Sequence, residues 1–194
     1  MKRTNSGFTL VEAMVVIAVL TILLAVGVPS YQQFRDDTEL SSAAFALYTD
    51  IQLARTEAVK RGSDNLHIFF FNDTTGWCYR ITDKTRSDCS SCAATASQCD
   101  IGSDGILRGN DQRHYPRTTL ATKFDSTTDQ FINITNRRAG LTLGTISSSA
   151  NPTDGVISFS VNGKTVNVNP SPIGSVLVCT KVGSSLTGIE SCSS

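Results

Sequence analysis

Apolar and polar positions along the chain fall into three regimes. Phe8 to Val28 (FTLVEAMVVIAVLTILLAVGV) is 21 residues long and carries one ionisable side chain, Glu12. As a helix this run rises about 32 Å, which matches a hydrocarbon core of ~30 Å. Beyond it, Leu40, Ala44, Leu47, Ile51, Ala54 and Ala58 recur at helical spacing and predict one apolar stripe. Asp50, Arg55, Glu57 and Lys60 mostly fall away from that stripe. Lys60-Arg61 followed by Gly62 is a helix stop, with cations in the last turn and a residue that accepts positive φ. The spacing therefore predicts one helix from Phe8 to Arg61, with a kink or local unwinding at Val28–Pro29, where Pro29 donates no hydrogen bond.

After Gly62 the period shortens to that of strands. Leu66–Phe71 and Trp77–Ile81 flank the turn residues Asn72-Asp73-Thr74-Thr75-Gly76 and predict a hairpin. Val156–Val168 predicts a second hairpin around Asn162-Gly163 as a type I′ turn. That turn pairs Val161 with Lys164, Phe159 with Val166 and Ile157 with Val168, while Ser158, Ser160, Thr165 and Asn167 face away. Phe131–Ile134, Leu141–Ile146 and Ser175–Thr180 are further strand candidates. Ser147–Asp154 and Asn169–Pro172 read as loops. The expected fold class is α+β, with antiparallel sheets packed on the second half of a long helix. The expected organisation is a polar leader at 1–7, the helix at 8–62 (membrane or filament core to 28, amphipathic from 29) and a β-rich globule at 63–194.

Composition changes this picture in two respects. Seventeen basic side chains balance seventeen acidic ones, which argues against a protein that coats nucleic acid with positive charge. Six cysteines, an even number, favour disulfides in an oxidising compartment. Lys2 and Arg3 before the apolar run predict a cytoplasmic N-terminus and export of everything after Val28, including the cysteines.

Residues 27 to 30, Gly-Val-Pro-Ser, lack the small-x-small site of an ordinary secretory signal. A plain anchor has no use for a carboxylate five residues into its apolar run. Glu12 would cost about 2.5–3.5 kcal/mol at the bilayer centre and less near the interface, so a function is the default reading against that of a tolerated interfacial acid. Gly7-Phe8-Thr9-Leu10-Val11-Glu12 resembles the prepilin cleavage and methylation motif of type IV pilins and type II secretion pseudopilins. The resemblance implies cleavage after Gly7 by a prepilin peptidase and N-methylation at Phe8. It also implies pairing of Glu12 with the amino terminus of a neighbouring subunit during assembly. Loss of residues 1–7 removes Lys2 and Arg3 and leaves 15 basic against 17 acidic side chains.

Ala54-Arg55-Thr56-Glu57-Ala58-Val59-Lys60-Arg61 resembles the A-R-x-E-A-x-x-R helix end of the GspH/FimT/FimU group of minor pilins and minor pseudopilins, FimU-like members foremost. The expected function is structural: a minor pilin that primes a type IV pilus and sits at or near its tip. Its expected partners are other minor pilins of the tip complex, the major pilin, the prepilin peptidase and the inner membrane. The expected location is a single-pass inner-membrane protein with a periplasmic domain, then the surface filament. A GspH-like minor pseudopilin of type II secretion is one alternative, and a FimT-like DNA-uptake pilin is another. DNA-binding members carry an arginine-rich C-terminal loop of G-R-x-R type; Thr180–Ser191 here offers only Lys181 and Glu190, so that feature does not carry over. Arg113, Arg117, Arg137 and Arg138 read as solvated loop bases, and nucleic acid is not an expected partner.

Candidate chemistry is sparse. Cys89-Ser90-Ser91-Cys92 has redox or metal spacing, but no βαβ pattern surrounds it, and Cys78 and Cys99 lie close by. A structural cluster among Cys78, Cys89, Cys92 and Cys99 is the favoured reading, with its three connectivities open; zinc is disfavoured by export. Cys179 and Cys192 are remote from that cluster and are expected to pair. Such a C-terminal staple also fits the pilin resemblance. His67 in an apolar strand reads as structural and His114 in a polar loop as solvated. No catalytic, metal or cofactor site is expected, and no G-x-S-x-G or P-loop occurs.

Overall fold

A computed structural model describes residues 9–124, 130–135, 141–143 and 155–192. It divides into two compact units, residues 1–36 and 37–194. A single helix, α1 (Leu10–Arg61), supplies the described part of the first unit and enters the second. Thr9 caps its start, the hydroxyl accepting the Glu12 amide at 3.3 Å. Helical structure passes through Pro29 without interruption, so the expected unwinding is not present. The stop is as the residues dictate. Gly62 has φ 63°, its amide donates to Val59, and the Ser63 amide donates to Ala58, closing a Schellman motif.

In the second unit the described strands form two antiparallel four-stranded sheets. They are β1 (Leu66–Asp73), β2 (Gly76–Thr82), β3 (Thr119–Lys123), β4 (Phe131–Ile134), β5 (Leu141–Leu143), β6 (Val156–Val161), β7 (Lys164–Pro170) and β8 (Val176–Thr180). One sheet runs β2-β1-β4-β5 and the other β3-β6-β7-β8. The expected register of the second hairpin is observed, with Val161 opposite Lys164, Phe159 opposite Val166 and Ile157 opposite Val168. Asn162 and Gly163 adopt φ 47° and 82°, as a type I′ turn requires. Strand β3 and a short helix α2 (Ala96–Cys99) were not expected. Asn169–Pro170 belongs to β7 rather than to a loop: Pro170 ends the strand, where a missing donor costs no ladder bond. Ser147–Asp154 and Gly144–Ile146 lie outside the described residues.

The six stripe residues of α1 are at most 1% exposed, and Ala43 joins them. They pack with Ile68, Phe70, Tyr79, Ile81, Ile132, Phe159, Val166 and Val168 in one core. Four of the seven helix positions are alanine, which lets the sheets approach the helix axis closely. Trp77 anchors the centre, with its indole N–H donating to the Thr118 carbonyl at 2.8 Å and its ring meeting Phe159 edge-on.

The first sheet is buried on its other face as well. Phe69 and Phe71 of β1 and Cys78 of β2 pack under Cys89 and Cys99, with Cys92 and Phe131 against them. This explains why Ile68–Phe71 shows no apolar–polar alternation: both faces are dry. The cover is held by two interlaced disulfides, Cys78–Cys92 and Cys89–Cys99, and a third joins Cys179 to Cys192. Cys89 and Cys92 therefore do not pair with each other, despite their spacing. Non-reducing peptide mapping is expected to recover these three linkages, and a Cys89–Cys92 peptide would contradict the fold. Removing Cys78–Cys92 by double serine substitution is expected to cost about 3 kcal/mol in a denaturant melt, from the loop it closes.

Candidate functional site

Each large apolar side chain from Leu10 to Val28 is between 46% and 73% exposed within its own chain. A helical window with mean hydropathy 2.7 thus has no intramolecular cover. Glu12 stands in the first turn of this helix, where the positive end of the helix dipole favours a carboxylate. Gly7 and Phe8, the expected cleavage and methylation positions, lie outside the described residues. The arrangement has one physical consequence: the helix needs an apolar host.

In the second unit the part of α1 turned away from the core carries exposed Phe45, Tyr48 and Val59. These three fall within about 60° of helix rotation. The same helix is tied to the globule by polar contacts that the sequence did not disclose. Asp37 accepts Lys164 Nζ at 2.6 Å, and Glu39 accepts the Arg117 amide at 2.7 Å. The Asp50 carboxylate accepts Tyr79 Oη at 2.8 Å and Asn110 Nδ2 at 3.1 Å. Burial raises the Asp50 pKa, opposed by those two donors, and burial beside Asp50 raises Tyr79. Asp50 is no member of the apolar stripe, so periodicity alone placed it in solvent.

Arg80 is the other concealed residue, buried on the outer face of β2 and 2% exposed. Its Nη1 donates to the carbonyls of Tyr79 and Asn110 at 3.1 and 3.2 Å. Its Nη2 donates to the Cys92 carbonyl at 3.2 Å and meets Asp111 at 3.5 Å. One guanidinium thus joins β2, the 110–111 segment and the disulfide cover. Burial opposes ionisation of Asp111, but its hydrogen bond to Arg113 and the charges of Arg113 and Arg80 hold its pKa at about 2. Arg86 lies over Phe71 and Phe69, 4.0 and 5.2 Å from the ring centroids, and closes the cover from outside.

Among the described residues, the remaining candidates do not assemble into a reactive centre. His67 stacks on Phe69 at 5.4 Å, and burial lowers its pKa. His114, 64% exposed, contacts Asp111 at 3.1 Å. Arg113 is paired with Asp111 at 2.8 Å, and Arg137 and Arg138 lie outside the described residues. Among the described residues, no group of three or more His, Cys, Asp or Glu side chains is placed to hold a metal ion. The sequence left Arg80 and Asp50 unmarked because a charged residue inside a strand or helix pattern looks the same whether its partner is water or protein.

Residues 2–28 match the prokaryotic N-terminal methylation motif. Residues 43–188 match the family described as Type II transport protein GspH, which takes in the helix stripe from Ala44 onward and both sheets. The chain belongs to this GspH family. It is a type IV minor pilin of the GspH/FimT group, a family of structural pilin and pseudopilin subunits. Fimbrial protein EcpC of Eikenella corrodens is 42% identical over 43 residues, which are 22% of this chain and 28% of that relative. The chain therefore spans less than a third of the length of this curated relative. No solved structure matches.

In this pilin, Asp111 contributes stability that is present above its unfolded pKa near 3.8 and lost as pH falls towards about 2. Asp111→Asn is expected to flatten the acid limb of stability between those pH values. It is also expected to cost about 3 kcal/mol at pH 7 by leaving Arg80 uncompensated. Denaturant melts at several pH values check both.

Proposed function

We propose that this minor pilin primes assembly of a type IV pilus and is incorporated at or near its tip through contacts with other minor pilins. The observation that carries the reading is the apolar helix from Leu10 to Val28, which bears one carboxylate and has no cover in its own chain. Prepilin peptidase cleaves after Gly7, and the new terminus at Phe8 is methylated. Before assembly the helix crosses the inner membrane once, with the disulfide-bonded domain in the periplasm. On assembly, Glu12 pairs with the cationic terminus of an adjacent subunit, and packed helices replace lipid around the apolar surface. This exchange keeps apolar area out of water throughout, so transfer from membrane to filament is energetically close to balanced. Glu12 then chooses the register: a carboxylate in an apolar bundle gains most where an equally desolvated cation meets it. The exposed Phe45, Tyr48 and Val59 of α1 supply a further apolar contact to neighbouring subunits.

The description of the matching family as a type II transport protein supports a second reading, a minor pseudopilin of a secretion system. The fimbrial relative favours the pilus. Both readings use the same helix chemistry, and they differ in which machine receives the subunit.

Glu12→Ala is expected to be cleaved and exported normally yet to reduce surface piliation several-fold, scored by sheared-pilus yield and electron microscopy. Normal piliation by the Glu12→Ala variant would count against the mechanism. Unchanged pili with lost export of secreted enzymes would favour the pseudopilin.

A further inference from the structure

Two of the four sheet edges in the second unit are blunted. The outer edge of β2 is sealed by the 108–112 segment, with Ile81 donating to Arg108, Tyr79 to Asn110 and Gln112 to Trp77. Strand β3 exposes Thr119, Ala121 and Lys123, a polar edge ending in a lysine. Strand β8 is different. No charge occurs between Ile173 and Thr180, and Ile173, Leu177 and Val182 are 83%, 54% and 77% exposed.

The hydrogen-bond phase of β8 shows which groups face outward. Lys181 donates to Thr165 on β7, whereas the Thr180 amide points the other way and donates to Glu190. Residues alternate along a strand, so the Val178 and Val176 amides and carbonyls also point away from β7. Thr180 is satisfied on that side by a parallel pairing with Ser191, whose neighbour Cys192 donates to its carbonyl at 2.9 Å. Among the described residues, Val176 and Val178 have no partner there. The Cys179–Cys192 disulfide pins the 190–192 segment beside Thr180, so the chain itself occupies one end of this edge and stops.

We propose that the open part of β8, Val176 to Val178, is a docking edge that accepts an extended, apolar, uncharged strand from an adjacent pilin subunit. This rests on the assembly reading above and deepens it. Two outward N–H and C=O pairs in line demand main-chain partners in extended conformation, and exposed Leu177 beside them favours apolar side chains. A second copy of this chain is a poor occupant. Five residues of strand, ~17 Å, are far fewer than the 20–30 residues a side of a stable interface. The edge is sufficient only for a subunit already held alongside by its helix, where pairing is effectively intramolecular.

The test compares full-length protein in detergent with the same protein in sheared pili, by hydrogen–deuterium exchange of peptides covering 175–181. Exchange at Val176 and Val178 is expected to slow by about tenfold or more on assembly. Val176→Pro removes an outward N–H and no bond of the sheet, and Leu177→Lys adds a charge at an exposed position. Leu177→Lys is expected to leave the melting temperature and the three disulfides unchanged while lowering incorporation into pili several-fold. Val176→Pro, whose valine packs partly against the core, is expected to keep the disulfides and lower incorporation likewise, with a small fall in melting temperature. Wild-type protein present in pili without added protection, or normal incorporation of the Leu177→Lys variant, overturns the edge pairing alone. Protection already present in a detergent-solubilised dimer overturns the choice of partner. Absence of wild-type protein from pili overturns the assembly reading and this one with it.

Discussion

Apolar surface must leave water, and in this protein one long run of it has no intramolecular means of doing so. The helix from Leu10 to Val28 exposes every large side chain within its own chain, so lipid or other helices must complete it. The rest of the structure is a response to that dependence. A chain whose apolar helix must find its cover elsewhere cannot rely on that cover to fold its globular part. The second unit therefore closes its own core, with the alanine-rich stripe of α1 against both sheets and two disulfides over the outer face of the first.

The disulfide cover converts an ordinary half-buried sheet into one buried on both faces. Such a sheet gains apolar burial but must satisfy whatever polar groups it encloses. Arg80 does this for three carbonyls and one carboxylate at once, and Asp111 in turn is neutralised from two sides. The cysteines hold the covering segment in place by covalent bonds, while Arg80 and the Arg86 contact with Phe71 hold it by orientation. Disulfides of this kind form and persist in an oxidising environment.

The same logic separates finished surfaces from unfinished ones. Where a strand edge is not needed, the chain seals it with its own backbone, as residues 108–112 do for β2. Where Thr180 meets Ser191 the seal is short and ends abruptly. The uncovered helix surface and the open stretch of β8 are thus alike in kind: each is a group of interactions begun within the chain and left without a partner among its described residues. A subunit built for assembly needs such features, whereas in a monomeric protein they are aggregation hazards.

Local rules operating over a few residues were legible in the sequence. The apolar run with Glu12, the helix stop at Gly62, the stripe from Leu40 to Ala58 and the Asn162-Gly163 register all follow from periodicity and backbone conformational preference, which neighbours in sequence suffice to set. The family, too, was legible, because its motif is contiguous. What depended on distant residues was not. Strand β3 is short and partly exposed, and it exists because β6 offers it a ladder. Asp50 and Arg80 changed meaning only when Asn110, Tyr79 and Asp111 were brought to them from far along the chain. The pairing of Cys78, Cys89, Cys92 and Cys99 has three solutions of equal standing by spacing. Only the folding of the 83–110 segment across the aromatic face of β1, which buries Cys89 against Phe69 and Phe71, brings Cys99 to it and leaves Cys92 for Cys78.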